Sequence, residues 1–110
     1  MLDLIIKNGQ CYINGELKNV DVSAKDGKIQ GIGKIAEEAK DIIDAKGLTV
    51  LPGCIDTQTH FREPGSTDTE DLHSGSRAAI VGGITAVFEM PNTNPPTSTK
   101  KEFQRKLDLA

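Results

Sequence analysis

Apolar and β-branched residues come in short runs at the start of the chain, each closed by a turn signal. Residues 2–7 (Leu-Asp-Leu-Ile-Ile-Lys) read as a strand that ends at Asn8-Gly9. Cys11-Tyr12-Ile13 follows, and then Asn14-Gly15. Residues 20–25 alternate so that Val20, Val22 and Ala24 share one face. Asp26-Gly27 leads into residues 28–32, with Ile29 and Ile32. Asn-Gly and Asp-Gly between apolar runs are strong hairpin signals, because both residues tolerate positive φ. Residues 41–45 and 48–51 are two further short strands on either side of Lys46-Gly47. The pattern predicts an antiparallel β unit over residues 1–50, a small sandwich or open sheet.

The pattern changes at Pro52-Gly53. Residues 48–55 are nearly continuous apolar sequence, which predicts a strand buried on both faces, as in a parallel sheet. After a polar loop, Thr67-x-x-Glu70 reads as a capping box for a helix over residues 71–81. Leu72, Ala79 and Ile80 form its inward stripe, and Gly82-Gly83 stops it. Residues 84–90 (Ile-Thr-Ala-Val-Phe-Glu-Met) predict a strand ended by Pro91, with a Pro/Asn/Thr loop over 92–98. A second box, Thr99-x-x-Glu102, opens a helix with Phe103, Leu107 and Ala110 at i, i+4 and i+7. This order is a right-handed βαβ unit followed by a helix, an α/β arrangement over residues 51–110. Two parallel strands and two helices leave faces and edges uncovered, so the chain is expected to be the N-terminal part of a larger α/β protein.

Composition narrows the function classes. The chain has 110 residues, 36% hydrophobic and 26% charged, with a formal net charge of −3. A whole (β/α)8 barrel takes about 200 residues or more and does not fit. A mildly acidic chain with no Trp and no basic run gives no footing on nucleic-acid phosphates. No apolar stretch approaches the ~18 residues of a membrane span. The first ten residues lack the layout of a signal peptide, and two cysteines do not make a disulfide framework, so a cytoplasmic protein is expected.

Candidate chemistry lies where the α/β strands run into their loops, since that is where such folds bind ligands. If the first strand continues its alternation, Asp56, Gln58, His60 and Arg62 point to one side. A carboxylate, an amide, an imidazole and a guanidinium together are costly there unless they meet a ligand or metal. Asp56 either orients a neighbouring ligand or hydrogen-bonds backbone. Glu63 either shapes the loop or contacts substrate. His73 reads as a solvated helix residue, and Cys54 as a small hydrophobe in the buried strand. Cys11 has no partner motif. The basic cluster Lys100-Lys101 with Arg105-Lys106 reads as a solvated helix face.

The stretches PGCIDTQTHFREPG and EDLHSGSRAAIVGGITAVFEMPNTNPPT resemble the dihydroorotases of the amidohydrolase superfamily, strongly over residues 50–97. Residues 1–50 are similar to that family's small N-terminal β domain. The resemblance implies that residues 51–110 begin a (β/α)8 barrel that is incomplete in this chain. It further implies hydrolysis of the cyclic amide of dihydroorotate to N-carbamoyl-L-aspartate, or the reverse ring closure in pyrimidine synthesis, with zinc, one or two ions. Family members carry Asp-x-His-x-His here, so His60 is the implied metal ligand and Gln58 stands in the place of the first histidine. An amide oxygen is a poorer zinc donor than imidazole. A weakened ligand, a single ion or a catalytically silent protein would each be consistent with Gln58. Arg62 matches the family's substrate-carboxylate arginine, and Asn92 its second carboxylate-binding position. Hydantoinases and allantoinases typically differ at both. The catalytic groups of the family lie on later strands, so these residues alone are expected to show no turnover. Two alternatives stand: a non-catalytic dihydroorotase-like scaffold for aspartate carbamoyltransferase, and a related cyclic amidase. Exposed parallel strands also make self-association into a homo-oligomer an expectation.

Overall fold

A computed structural model describes residues 1–110, which divide into two compact units, Met1–Pro52 and Gly53–Ala110.

The first unit contains β1 (Leu2–Lys7), β2 (Gln10–Ile13), β3 (Glu16–Asn19), β4 (Asp21–Lys25), β5 (Lys28–Gly33), β6 (Ala39–Asp44) and β7 (Thr49–Val50). They form a four-stranded sheet in the order β5-β4-β1-β6 and a three-stranded sheet in the order β3-β2-β7. Asn14-Gly15 and Asp26-Gly27 have positive φ at both positions (51° and 86°, 51° and 72°), the conformation of a type I′ turn. They join antiparallel pairs β2/β3 and β4/β5. Asn8 also has positive φ, but Asn8-Gly9 closes no hairpin. The chain passes there from one sheet to the other.

The unit is therefore mixed, not antiparallel throughout. β6 runs parallel to β1 and β7 runs parallel to β2. Ala45 N–H donates to Lys7 O and Gln10 N–H donates to Leu48 O, so the two paths stay side by side across both sheets. β1 lies between β4 and β6, which buries Ile5 completely. Ile5 pairs with Ser23, so Ser23, not the Val22/Ala24 side, is the buried position of β4. Cys11 is buried as well, and its thiol donates to Val20 O at 3.1 Å.

The second unit is β8 (Cys54–Thr59), α1 (Leu72–Val81), β9 (Ile84–Glu89) and α2 (Lys100–Leu109). β8 and β9 pair in parallel, as the strand-helix-strand order requires. The apolar run over 48–55 is not one strand. Pro52, which has no N–H to give a ladder, separates β7 from β8. Nor is β8 buried: Cys54 is exposed and Ile55 is 58% exposed, because a two-stranded ribbon has no third layer to cover it.

The cap of α1 lies four residues later than Thr67-x-x-Glu70. Asp71 Oδ1 accepts the Ser74 N–H at 2.6 Å, and Ser74 Oγ accepts the Asp71 N–H at 3.2 Å. Residues 66–70 form a turn, with the Thr69 and Glu70 N–H groups both on Ser66 O. Gly75 is the one fully buried residue of α1, Leu72 and Ala79 of the predicted stripe are half-buried, and Ile80 is exposed. A Cβ at Gly75 would lie 2.7 Å from the Phe61 ring, so only glycine lets that ring approach the helix. α2 begins at the predicted Thr99, whose Oγ1 accepts the Glu102 N–H at 3.2 Å, but the Glu102 side chain does not return to the Thr99 N–H, so only half of the box forms. Phe103, Leu107 and Ala110 line an apolar cavity of about 480 Å³ together with Phe61, Leu72 and Val87.

Candidate functional site at the strand ends

β8 and β9 run the same way, so the segments that follow them leave from the same end of the ribbon. Backbone bonds then hold the two segments together. The Met90 N–H donates to Thr59 O at 2.8 Å, and the Asn94 N–H donates to Pro64 O at 3.0 Å. Gly65 makes this approach sterically possible: it has φ +119°, and a Cβ there would lie 2.6 Å from Asn94 O.

This crossing gathers three of the candidate side chains. His60 Nδ1 is 2.8 Å from Asn92 Oδ1. Arg62 and Asn92 line one hollow of about 140 Å³, with Ser66 and Asn94 on its wall. A guanidinium presents five donors in a planar fork, and a carboxamide adds two more, so the hollow has the chemistry to take a carboxylate.

The other two candidates are not brought in. β8 ends at Thr59, and its register shifts between Asp56 and Thr59, so the alternation does not carry through to Arg62. Gln58 is an exposed strand residue. Asp56 Oδ1 accepts the Gln58 N–H at 2.9 Å, which is the backbone role among its two readings. Glu63 likewise takes its structural role: its Oε2 accepts the Leu72 N–H at 2.8 Å, so a carboxylate sits on an orphan donor at the positive end of α1. His73 is exposed on α1.

Two residues that hold the site in place were read otherwise, or not at all, from sequence. Glu89, the last residue of β9, accepts the Phe61 N–H on Oε2 at 3.1 Å and Lys106 Nζ on Oε1 at 2.7 Å. It thereby fixes the backbone between His60 and Arg62. Lys106 is buried and ion-paired, not part of a solvated basic face. The available signals were an acid closing an apolar strand, and a lysine three residues from Phe103 on the apolar side of α2.

The sequence profile of the amidohydrolase family matches residues 49–108, more than half of the chain. The chain belongs to the amidohydrolase family. Among its relatives, an allantoinase of Escherichia coli O1:K1 is 47% identical over 109 residues, covering 98% of this chain and 24% of that protein. An allantoinase of Salmonella choleraesuis is 46% identical over the same share. An L-hydantoinase (dihydropyrimidinase) from Arthrobacter aurescens superposes with a TM-score of 0.89 at 36% identity, over 100% of this chain and 25% of that one. The chain thus spans about a quarter of the length of the relatives it matches.

Amidohydrolase family members generally depend on metal. The residues present do not fit a zinc site of their own: no three His, Cys, Asp or Glu side chains converge. With His60 Nδ1 engaged by Asn92, the ring offers one nitrogen, and Gln58 offers only a neutral amide oxygen. Zinc takes four ligands in structural sites and three protein ligands in catalytic ones. No helix is long and apolar enough to cross a membrane.

Proposed function

We propose that Arg62 and Asn92 hold the carboxylate of a cyclic amide, and that the full-length protein is a dihydroorotase interconverting dihydroorotate and N-carbamoyl-L-aspartate. The observation that carries this reading is the shared hollow of Arg62 and Asn92 beside His60. Dihydroorotate bears a carboxylate on its ring, whereas hydantoin and allantoin do not, so a guanidinium and an amide facing one small hollow favour the acid. The arginine fork would take the carboxylate in a bidentate contact, and the Asn92 amide would fix its orientation. The role of these residues is binding and orientation.

A second reading, a related cyclic amidase such as an allantoinase, is supported by the 47% identity to the Escherichia coli enzyme across almost the whole chain. The deciding experiment offers dihydroorotate, allantoin and hydantoin to the full-length protein. Turnover of dihydroorotate is expected. Arg62→Lys is expected to weaken it about tenfold or more through KM, since hydrogen bonds to charged groups contribute about 1.5–3 kcal/mol. Turnover of allantoin with dihydroorotate inert would overturn the first reading in favour of the second. Gln58 supports a non-catalytic scaffold, which predicts turnover of none of the three and co-sedimentation with aspartate carbamoyltransferase.

A further inference from the structure

We infer that Asn92 is the positioning residue for His60: its carboxamide oxygen fixes the imidazole as the Nδ1–H tautomer and leaves Nε2 as the open nitrogen. The two atoms lie 2.8 Å apart. An amide oxygen carries no hydrogen and only accepts, so Nδ1 must be the donor. In the neutral ring the lone pair then sits on Nε2. Free neutral imidazole side chains favour the opposite tautomer, so the preference is imposed by the partner and not by the ring itself.

The carboxamide can serve two neighbours at once because its ends differ. With Oδ1 committed to His60, both N–H donors of Asn92 remain for whatever occupies the hollow it shares with Arg62. An anion there polarises the amide and strengthens its oxygen as an acceptor, so the two contacts reinforce each other. This second half rests on the carboxylate-binding reading proposed above; the tautomer does not.

The test is long-range 1H–15N correlation on the 15N-histidine-labelled full-length protein, stripped of metal by a chelator so that nothing but Asn92 biases the ring, at a pH well above the ordinary imidazole value so that the rings are neutral. The His60 signal is the one lost in His60→Gln, and the His73 signal the one lost in His73→Gln. His60 is expected to show a protonated Nδ1 and an unprotonated Nε2, with the exposed His73 in the opposite form. Asn92→Leu removes the acceptor and is expected to reverse His60 to the Nε2–H form. Asn92→Asp restores an acceptor and is expected to keep Nδ1–H. Retention of the Met90-to-Thr59 backbone bond reports that each variant is folded. A wild-type His60 with Nε2 protonated, or a Leu variant that keeps Nδ1–H, overturns the inference. Malonate serves as the probe of the hollow. It is expected to shift the Asn92 amide and the His60 Nδ1–H together, and to shift neither in Arg62→Gln. Wild-type protein that shows the stated tautomer and no malonate response overturns the carboxylate reading and the coupling, and bears out tautomer selection by Asn92.

Discussion

Glu89 and Lys106 do more for the candidate site than their places in the sequence suggest. Their side chains are 18% and 11% exposed, so the pair is largely but not fully removed from water. Lys106→Met leaves the Glu89 carboxylate with only the Phe61 N–H. The expected cost is about 2 kcal/mol, below the 3–5 kcal/mol of a fully buried pair because water still reaches both groups. Chemical denaturation measures that loss, and the Phe61 amide resonance should move with it. Glu89→Gln added to Lys106→Met should recover part of the loss, since the amide oxygen keeps the Phe61 contact without a charge. Asp71 makes a prediction of another kind. Its carboxyl is held below the ordinary 3.8 because the Ser74 backbone N–H, and then the Ser74 hydroxyl, bond the charged form. A depressed folded value means that this stabilisation is fully present above pH 3.8 and is lost as pH falls through the lower folded value. Asp71→Ala should lower Tm at neutral pH, and the gap from wild type should close in acid. A gap that persists below the folded value would show that the cap's contribution is not carried by the charge.

Helix α1 shows why periodicity was a poor guide to its inward face. Leu72, Ala79 and Ile80 are the apolar residues that the pattern assigns to the inward stripe, yet the position that meets the Phe61 ring is Gly75. Replacing an exposed mid-helix glycine by alanine ordinarily stabilises by about 0.5–1 kcal/mol. Gly75→Ala should do the reverse, because a Cβ 2.7 Å from the Phe61 ring overpacks at a typical cost of about 1–3 kcal/mol. Urea denaturation reads the sign directly, and a stabilised variant would mean that the ring can move aside freely. The β strands divide in an instructive way. Asn14-Gly15 and Asp26-Gly27 announce β2/β3 and β4/β5, since each turn needs positive φ at two successive residues. The parallel pairs β1/β6 and β2/β7 join residues more than thirty-five positions apart and leave no local mark.

The 110 residues carry more apolar surface than their two units cover. Ile55 and Phe88 are 58% and 59% exposed on β8 and β9, and both strands of that ribbon are edges. Edges and uncovered apolar faces pair with other chains. The 110 residues alone should therefore self-associate, with a sedimentation coefficient that rises with protein concentration. A constant monomer value across the range would show that the ribbon is shielded. Family membership was legible because the motif residues are contiguous: REPG and MPNT each lie within one segment. Substrate class was less so, because the relatives that match bear the names allantoinase and hydantoinase.

Residue order by itself determined the turns, the two helix starts at their polar caps to within a few residues, and the parallel βαβ pairing. The turns and caps depend on neighbours within one or two turns of chain, where φ preference and hydrogen-bond reach act locally, whereas the parallel pairing of β8 with β9 follows from the strand-helix-strand order. Tertiary structure alone decided which polar groups meet. It set His60 on Asn92, Arg62 beside the same amide, Glu63 on the start of α1, and Lys106 on Glu89. Those contacts join groups 9 to 32 residues apart, and a donor's partner is fixed only once packing has set the distance between them.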